Sequence, residues 1–204
     1  MAPLQLGLFA GGAPRLDETF RGLRRTALAY GAWIDHQPGW LSGSDTLFAE
    51  LRETMPWHGE RRVMYGREVD TPRLLARAPD NGARHALLAR MREVLSARYG
   101  EDFVDVTMAW YRDGHDSVAM HGDTTARDLL EATVATVSLG APRRFRIEAA
   151  AGGASLTLEL GGGDLLVMGG TCQRTWRHGI PKVAAAGPRI AVMFRPAWGS
   201  HEDR

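Results

Sequence analysis

Residues 143–168, RRFRIEAAAGGASLTLELGGGDLLVM, carry the pattern that decides the fold. Apolar residues alternate with polar or charged ones in RRFRI (143–147) and again in SLTLEL (155–160). Because successive side chains of a strand point to opposite sides, this period of two predicts β-strands that bury one face. Glycine-rich turns separate these strands from each other and from the next one, at Gly152–Gly153 and at 161–163.

The same pattern of short strands continues on both sides of this stretch. Val104, Val106 and Met108 alternate along one segment, and LLVM (165–168) and RIAVMFR (189–195) supply further strands. Many short strands joined by glycine turns are typical of a β-sandwich or jelly roll.

Helical spacing of apolar residues is confined to the first hundred residues. One helix is predicted from 47 to 55, behind two candidate N-cap residues, Ser42 and Ser44. A second is predicted from 83 to 99, with Gly100 as its stop. We therefore expect a mainly β fold of the α+β class, with these N-terminal helices packed on one sheet.

Composition limits the class of protein. With 204 residues, 44% hydrophobic and 24% charged, the chain has the values of an ordinary globular domain. No apolar run approaches about 18 residues, so we expect no membrane partner. Cys172 is the single cysteine, which excludes an internal disulfide and a cysteine zinc site and favours the cytoplasm. With a net charge of only +1, binding to nucleic acid would depend on local basic patches. We expect the protein to be a monomer.

Two histidines and one carboxylate are candidate metal ligands. His121 and Asp123 are two residues apart, so an extended strand would present both on one side. His178 follows in TWRHGIP, near a predicted strand end. Such a set matches the facial triad that holds non-haem Fe(II) and leaves positions open. For the other five histidines we expect surface or structural roles.

Two arginines follow His178 on one predicted strand. Arg189 and Arg195 share a strand face and are separated by about 20 Å along an extended chain. They could bracket a short dicarboxylate such as 2-oxoglutarate, because a buried arginine needs a carboxylate partner. The alternative is that they reach water or pair with Asp164 and Glu159.

The order of these motifs resembles the AlkB family of iron- and 2-oxoglutarate-dependent dioxygenases, over 63–196. The resemblance rests on YRDG (111–114), the His-x-Asp motif, SLG (138–140), GDLLVM (163–168), HGIPK (178–182) and the final arginine strand. It implies a double-stranded β-helix, a kind of jelly roll. It also implies one domain over 1–204, with the N-terminal helices and a substrate-side segment in 1–100 and the jelly-roll catalytic core in 101–198.

The resemblance also implies roles for individual residues. His121, Asp123 and His178 match the family's Fe(II) ligands and therefore its catalytic centre. Tyr111, Arg189 and Arg195 match the residues that bind the cosubstrate 2-oxoglutarate, and O2 is the second cosubstrate. The implied reaction is oxidative demethylation of N-alkylated nucleobases, with DNA as the favoured partner.

The chain departs from the family pattern at several positions. Ala109, Ala191 and Met193 replace an asparagine, an asparagine and a threonine that contact 2-oxoglutarate. Weaker cosubstrate binding and a repacked apolar wall are the two expected outcomes. Thr124 and Thr125 stand where repair members commonly place acidic residues near the target base.

Basic and aromatic residues on the substrate side are the remaining candidates. Residues 55–74 predict short extended segments with turns. Trp110 should point opposite Tyr111 and serve in packing. The substrate-binding candidates are Met64, Tyr65, Arg73 and Arg144, and further arginines that could hold phosphates are Arg61, Arg62, Arg67, Arg143 and Arg146. Each of these arginines could equally belong to the solvated face of a sheet.

Two alternative functions stay open on the sequence. The first keeps the oxidative chemistry and changes the substrate to RNA, a protein side chain or a small metabolite. The second is a jelly-roll binding module that has lost turnover, motivated by the missing polar contacts.

Overall fold

The structure is a computed structural model that describes residues 12–64, 67–123 and 129–196. The strands are β1 Arg15–Leu16, β2 Arg24–Ala27, β3 Ala32–Gln37, β4 Leu41–Ser42, β5 His58–Met64, β6 Arg67–Arg77, β7 Phe103–Tyr111, β8 Val118–His121, β9 Val134–Gly140, β10 Arg143–Ala149, β11 Ser155–Leu160, β12 Leu165–Gly170, β13 Trp176–Ile180 and β14 Arg189–Pro196. The α-helices are α1 Ser44–Thr54, α2 Ala86–Tyr99 and α3 Cys172–Thr175, with 3-10 turns at Ala29–Gly31 and Pro79–Gly82.

Two facing antiparallel sheets form the jelly roll. The larger has eight strands in the order β2-β3-β12-β9-β14-β7-β6-β5, and the smaller has four in the order β11-β10-β13-β8. Sequence neighbours such as β12 and β13 lie in different sheets, as a double-stranded β-helix requires. The predicted mainly β, jelly-roll fold is therefore confirmed.

Alternation along the strands divides the apolar residues between two cores. On β14, Ile190, Val192 and Phe194 face the helices, whereas Ala191 and Met193 face the smaller sheet. The helix-side core takes most of its helical residues from α1 and α2. The second core lies between the sheets, on what we call the inner face of the larger sheet. The predicted packing of the N-terminal helices on one sheet is confirmed.

The helix ends differ in part from the predicted ones. Gly43, with φ of 65°, precedes α1, and within the described residues neither Ser42 nor Ser44 caps the helix through its side chain. A Cβ there would lie 2.6 Å from Gly12 O, which explains the glycine. The second helix begins at Ala86, where His85 Nδ1 accepts from Leu88 N–H, rather than at 83. Gly100 ends it with φ of 66°, as predicted.

The helices of the described ranges are short. The longest, α2, has 14 residues. None of those in 12–64, 67–123 or 129–196 has the length and apolar character needed to cross a membrane.

Candidate active site

Two histidines meet between the sheets. His121 on β8 and His178 on β13 are directly paired across the strands, and their ring centroids are 4.5 Å apart. Phe145 stacks on His178 with centroids 5.4 Å apart, which fixes the ring plane. The cross-strand pairing explains how two residues far apart in the sequence reach one point.

Both imidazoles are prepared to act as ligands. His178 is buried, and this burial together with neighbouring His121 lowers its pKa to about 3, so the ring is neutral. His121 Nδ1 lies 2.8 Å from Ala119 O. Because a carbonyl oxygen only accepts, Nδ1 carries the proton and Nε2 keeps its lone pair for a metal.

Asp123 is held beside the histidines by its backbone and its carboxylate. Its N–H donates to Gln173 Oε1 at 3.0 Å, and Arg195 donates to both carboxylate oxygens, at 3.1 and 3.4 Å. Burial acts to raise the pKa of Asp123, but Arg195 and the two histidines outweigh it and lower the pKa. The carboxylate therefore stays ionised near neutral pH.

The three candidate ligands have donor groups suited to iron, but the structure does not bring them together as a metal-binding cluster. Within 12–64, 67–123 and 129–196, no three His, Cys, Asp or Glu side chains are grouped closely enough to hold a metal ion. Both oxygens of Asp123 are occupied by Arg195. The imidazole of His121 and the neutral imidazole of His178 lie beside an ionised carboxylate, and these are nevertheless the donor types that non-haem Fe(II) prefers. The triad of His121, Asp123 and His178 stays a prediction.

Gly122 sets the path of the chain between His121 and Asp123. A Cβ at this position would lie 2.6 Å from Gln173 O. We expect Gly122→Ala to displace Asp123 and to lower Fe(II) affinity about 10- to 100-fold, as loss of a ligand's support does. Anaerobic Fe(II) titration measures this. Gly59→Ala, where a Cβ meets nothing within 4 Å, is the control, and equal affinity in both variants would contradict the argument.

Arg189 is buried at the start of β14, on the inner face of the larger sheet. Arg189 is 1% exposed, its Nε donates to Ser138 Oγ at 2.9 Å, and its Nη1 has no hydrogen-bond partner among the described residues. Cζ lies 5.3 Å from the ring centroid of Tyr111, which is paired with Arg189 across β7 and β14. Burial lowers the pKa of this guanidinium. A buried cation with an unused donor fits an incoming carboxylate, as the predicted 2-oxoglutarate role requires.

Arg195 has a different environment from Arg189. Besides Asp123, its guanidinium contacts Thr107 Oγ1 at 2.5 Å and Met193 Sδ at 3.4 Å. Neither arginine pairs with Asp164 or Glu159 within the described residues. The structure thus places Arg195 on the predicted iron ligand, and its contact with 2-oxoglutarate remains a prediction.

The departures from the family pattern form an apolar wall. Ala109 and Ala191 are paired across β7 and β14 and are buried in the core between the sheets, with Met193 packed against it. Of the two outcomes expected from the sequence, the structure shows the repacked apolar surface.

Two supporting residues were missed by the sequence reasoning. Ser138 binds Arg189, and Gln173 holds the backbone of Asp123. Ser138 belongs to the Ser-Leu-Gly motif, which could have signalled it. Gln173 lies in α3 and has no signal in the sequence, because only the tertiary fold brings it to Asp123.

The substrate-side candidates are dispersed. Arg73 reaches Ser117 O at 3.3 Å. Arg144 is exposed on β10 and faces away from the histidines, because Ile147 of the opposite face is the residue paired with His178. The fold does not bring Arg144 to the site. Met64 ends β5, where only its backbone is described, and Tyr65 lies outside the described residues.

The structure decides the predictions for Arg143 and Trp110 and leaves four other predicted positions untested. Arg143 is 3% exposed and donates to the carbonyls of Asp113, Asp116 and Pro181 at 2.8–3.0 Å, so it braces loops and is not open to phosphate. Trp110 packs against Trp57 with centroids 5.4 Å apart, as predicted. For Arg62 and Arg67 the structure describes only the backbone. Thr124 and Thr125 lie outside the described residues.

Known proteins that resemble this chain in sequence and in fold identify its family. The sequence profile of the 2OG-Fe(II) oxygenase superfamily matches residues 51–195. The DNA oxidative demethylase ALKBH2 of Bos taurus is 27% identical over 183 residues, covering 74% of this chain and 64% of that protein. The alpha-ketoglutarate-dependent dioxygenase alkB homolog 3 of Bos taurus is 25% identical over 199 residues, covering 87% and 68%. A prolyl-4-hydroxylase from Pseudomonas putida shares the fold, with a TM-score of 0.52, 17% identity and coverage of 80% and 92%.

Fold and site together indicate a jelly-roll oxygenase that binds a metal ion and a dicarboxylate. The chain belongs to the 2OG-Fe(II) oxygenase superfamily. It is an AlkB-like member, as the resemblance predicted, and the family's cofactor and cosubstrates are Fe(II), 2-oxoglutarate and O2. The chain spans about two thirds of the length of these two bovine relatives.

Proposed function

We propose that the protein oxidatively removes N-linked alkyl groups from nucleobases, with DNA as the favoured nucleic acid. Two relatives support this proposal, since one is named a DNA oxidative demethylase and the other an alkB homolog. The observation that carries it is the pair of His121 and His178 next to ionised Asp123, with buried Arg189 on the inner face of the larger sheet.

His121, His178 and Asp123 would hold the iron, with Arg195 keeping the carboxylate ionised and in place. Bound iron, with 2-oxoglutarate and O2, supplies an oxidant able to hydroxylate a C–H bond. Arg189 and Ser138 would orient the distal carboxylate of 2-oxoglutarate. The apolar wall of Ala109 and Ala191 would exclude water from the cosubstrate.

The substrate chemistry follows from the position of the oxidised carbon. Hydroxylation of an N-methyl group gives an N-hydroxymethyl group, whose N–C bond breaks to release formaldehyde while the electron pair returns to the ring nitrogen. A base inside a duplex cannot reach a site between two sheets, so it must leave its stack. Single strands, whose bases need no unpairing, are therefore the expected first substrates.

The direct test is mass spectrometry of single-stranded DNA carrying 1-methyladenine or 3-methylcytosine. The protein is supplied with ferrous iron, 2-oxoglutarate and ascorbate, with a His121→Ala variant as the control. We expect loss of the methyl mass that requires both iron and 2-oxoglutarate and is absent in the variant. Succinate release with no methyl loss would overturn the nucleobase assignment.

RNA of the same sequence forms the second arm of this experiment. Faster methyl loss from RNA would transfer the proposal from DNA to RNA without changing the chemistry. A protein side chain or a small metabolite becomes the better substrate class if 2-oxoglutarate is consumed and neither nucleic acid reacts.

A further inference from the structure

Arg143 is a second arginine that is buried close to Arg189. It alternates along β10 with Phe145 and Ile147, which belong to the core between the sheets, so its side chain lies on the inner side of the smaller sheet. Arg189 lies on the inner face of the larger sheet and is paired with Gly140, three residues before Arg143. The turn from β9 to β10 therefore brings two guanidinium groups to the same end of the fold.

Both guanidinium groups lie beside the ring of Tyr111. The Cζ atom of Arg189 is 5.3 Å from the ring centroid, and the Cζ atom of Arg143 is 5.7 Å from it. Arg143 is 3% exposed and Arg189 is 1% exposed. Each has a buried N–H group with no hydrogen-bond partner in the described part of the chain, Nε of Arg143 and Nη1 of Arg189.

No carboxylate among the described residues is bonded to either arginine of this pair. Arg143 donates to three backbone carbonyl oxygens, and Arg189 donates to a hydroxyl group. The acids whose charges act on Arg143 are Asp116, which accepts from Arg112 through both carboxylate oxygens, and exposed Asp113. Burial lowers the pKa of Arg189, and the positive charge of Arg143 lowers it further. Two like charges buried together are costly unless an anion joins them.

This pair of cations suits one end of a dicarboxylate. A carboxylate that binds Nη1 of Arg189 supplies the missing anion and is attracted by both positive charges. Arg143 needs no direct hydrogen bond to the ligand for this effect, because the attraction between buried charges acts over several ångströms. An uncharged group in the same place would gain nothing from the charge of Arg143.

We propose that Arg143 is a specificity-determining residue for the cosubstrate, and that its charge selects a 2-oxo acid with a second carboxylate over one with an uncharged end. This inference rests on the proposed role of Arg189 at the distal carboxylate of 2-oxoglutarate, and it does not depend on the nucleobase substrate. Arg143 then has two functions, since its Nη atoms hold three loop carbonyls while its charge acts on the ligand.

The test compares 2-oxoglutarate with 2-oxopentanoate, in which a methyl group replaces the distal carboxylate. Arg143→Gln removes the charge and keeps an N–H donor for the loop carbonyls, whereas Arg143→Lys keeps both the charge and a donor. Release of carbon dioxide from either acid is measured with iron and without nucleic acid. We expect Arg143→Gln to raise KM for 2-oxoglutarate about 5- to 50-fold and to leave kcat within about 3-fold of wild type, because only binding loses a charge. KM for 2-oxopentanoate should change by less than about 3-fold.

Thermal unfolding of the metal-free protein gives a second readout. Added 2-oxoglutarate should raise Tm in wild type and in Arg143→Lys, and should raise it less in Arg143→Gln at the same concentration. The curves without ligand verify that each variant is folded. Arg144→Met removes an equal charge from the exposed side of β10 and should leave both KM values unchanged.

The outcomes separate the charge of Arg143 from its role as a brace. Equal rises in KM for both acids in Arg143→Gln would overturn the inference, and so would loss of the preference for 2-oxoglutarate in Arg143→Lys. If Arg143→Gln does not fold, Arg143→Lys decides alone: lysine cannot reproduce the three bonds of the guanidinium, so a preference kept within about 3-fold supports the role of charge. A wild type that binds 2-oxoglutarate no better than 2-oxopentanoate would overturn the proposed role of Arg189, and this inference with it.

Discussion

Replacing His178 by glutamine abolishes iron-dependent consumption of 2-oxoglutarate. The ring is buried, neutral and paired with His121 at 4.5 Å between centroids, so its loss leaves one imidazole for the metal. Loss of a residue that only supports a metal ligand lowers activity about 10- to 100-fold. Because His178 is itself a predicted ligand, we expect turnover to fall by more than this. Succinate release and bound iron are measured on the same samples.

The choice of glutamine keeps the comparison interpretable. It has a similar volume to histidine, so the contact with Phe145 is only partly lost, and thermal unfolding verifies that the variant is folded. His115→Ala, which removes an exposed imidazole outside the site, is the control. Retained iron and turnover in His178→Gln would show that the predicted ligand set is wrong.

The second large effect is expected at Arg189. Arg189→Met should raise KM for 2-oxoglutarate about 150- to 5000-fold, because removing one partner of a buried charge pair costs about 3–5 kcal/mol. Ser138→Ala, which removes a single neutral partner of Nε, should raise it only about 5- to 10-fold. Initial rates of succinate release over a range of 2-oxoglutarate concentrations measure both.

A stability measurement distinguishes binding from damage to the fold. Arg189 is a buried cation with an unused Nη1 donor, so Arg189→Met should raise Tm in the absence of 2-oxoglutarate. The stabilisation of the wild type by added 2-oxoglutarate should disappear in the variant. A lower Tm together with an unchanged KM would refute the carboxylate-binding role.

The strands and the choice of candidate ligands could be predicted from the sequence. Alternation in RRFRI and SLTLEL is a local property, because each strand must bury one face whichever partner it finds. The same alternation correctly placed Arg144 and Arg146 opposite Phe145 and Ile147. Helix ends were less predictable, since Gly43 precedes α1 for the sake of a contact with Gly12, a residue distant in sequence.

Side-chain partners across the sheets could not be predicted. The carboxylate of Asp123 accepts hydrogen bonds from Arg195. Arg143 is buried and donates to three backbone carbonyls, although its neighbour Arg144 is exposed. Both outcomes depend on strand order and register, which involve residues far apart in the chain. A single sequence holds no local signal for such pairings.

The sequence by itself determined the mainly β class, the AlkB-like motif order and the candidate histidines, because each depends on local spacing and residue type. Only the tertiary structure decided that β8 pairs with β13, that Arg189 is buried with no carboxylate partner in the described part of the chain, and that Asp105 lies opposite Arg195. The physical reason is that a strand's period sets which face a residue occupies, whereas register between strands sets what that residue meets.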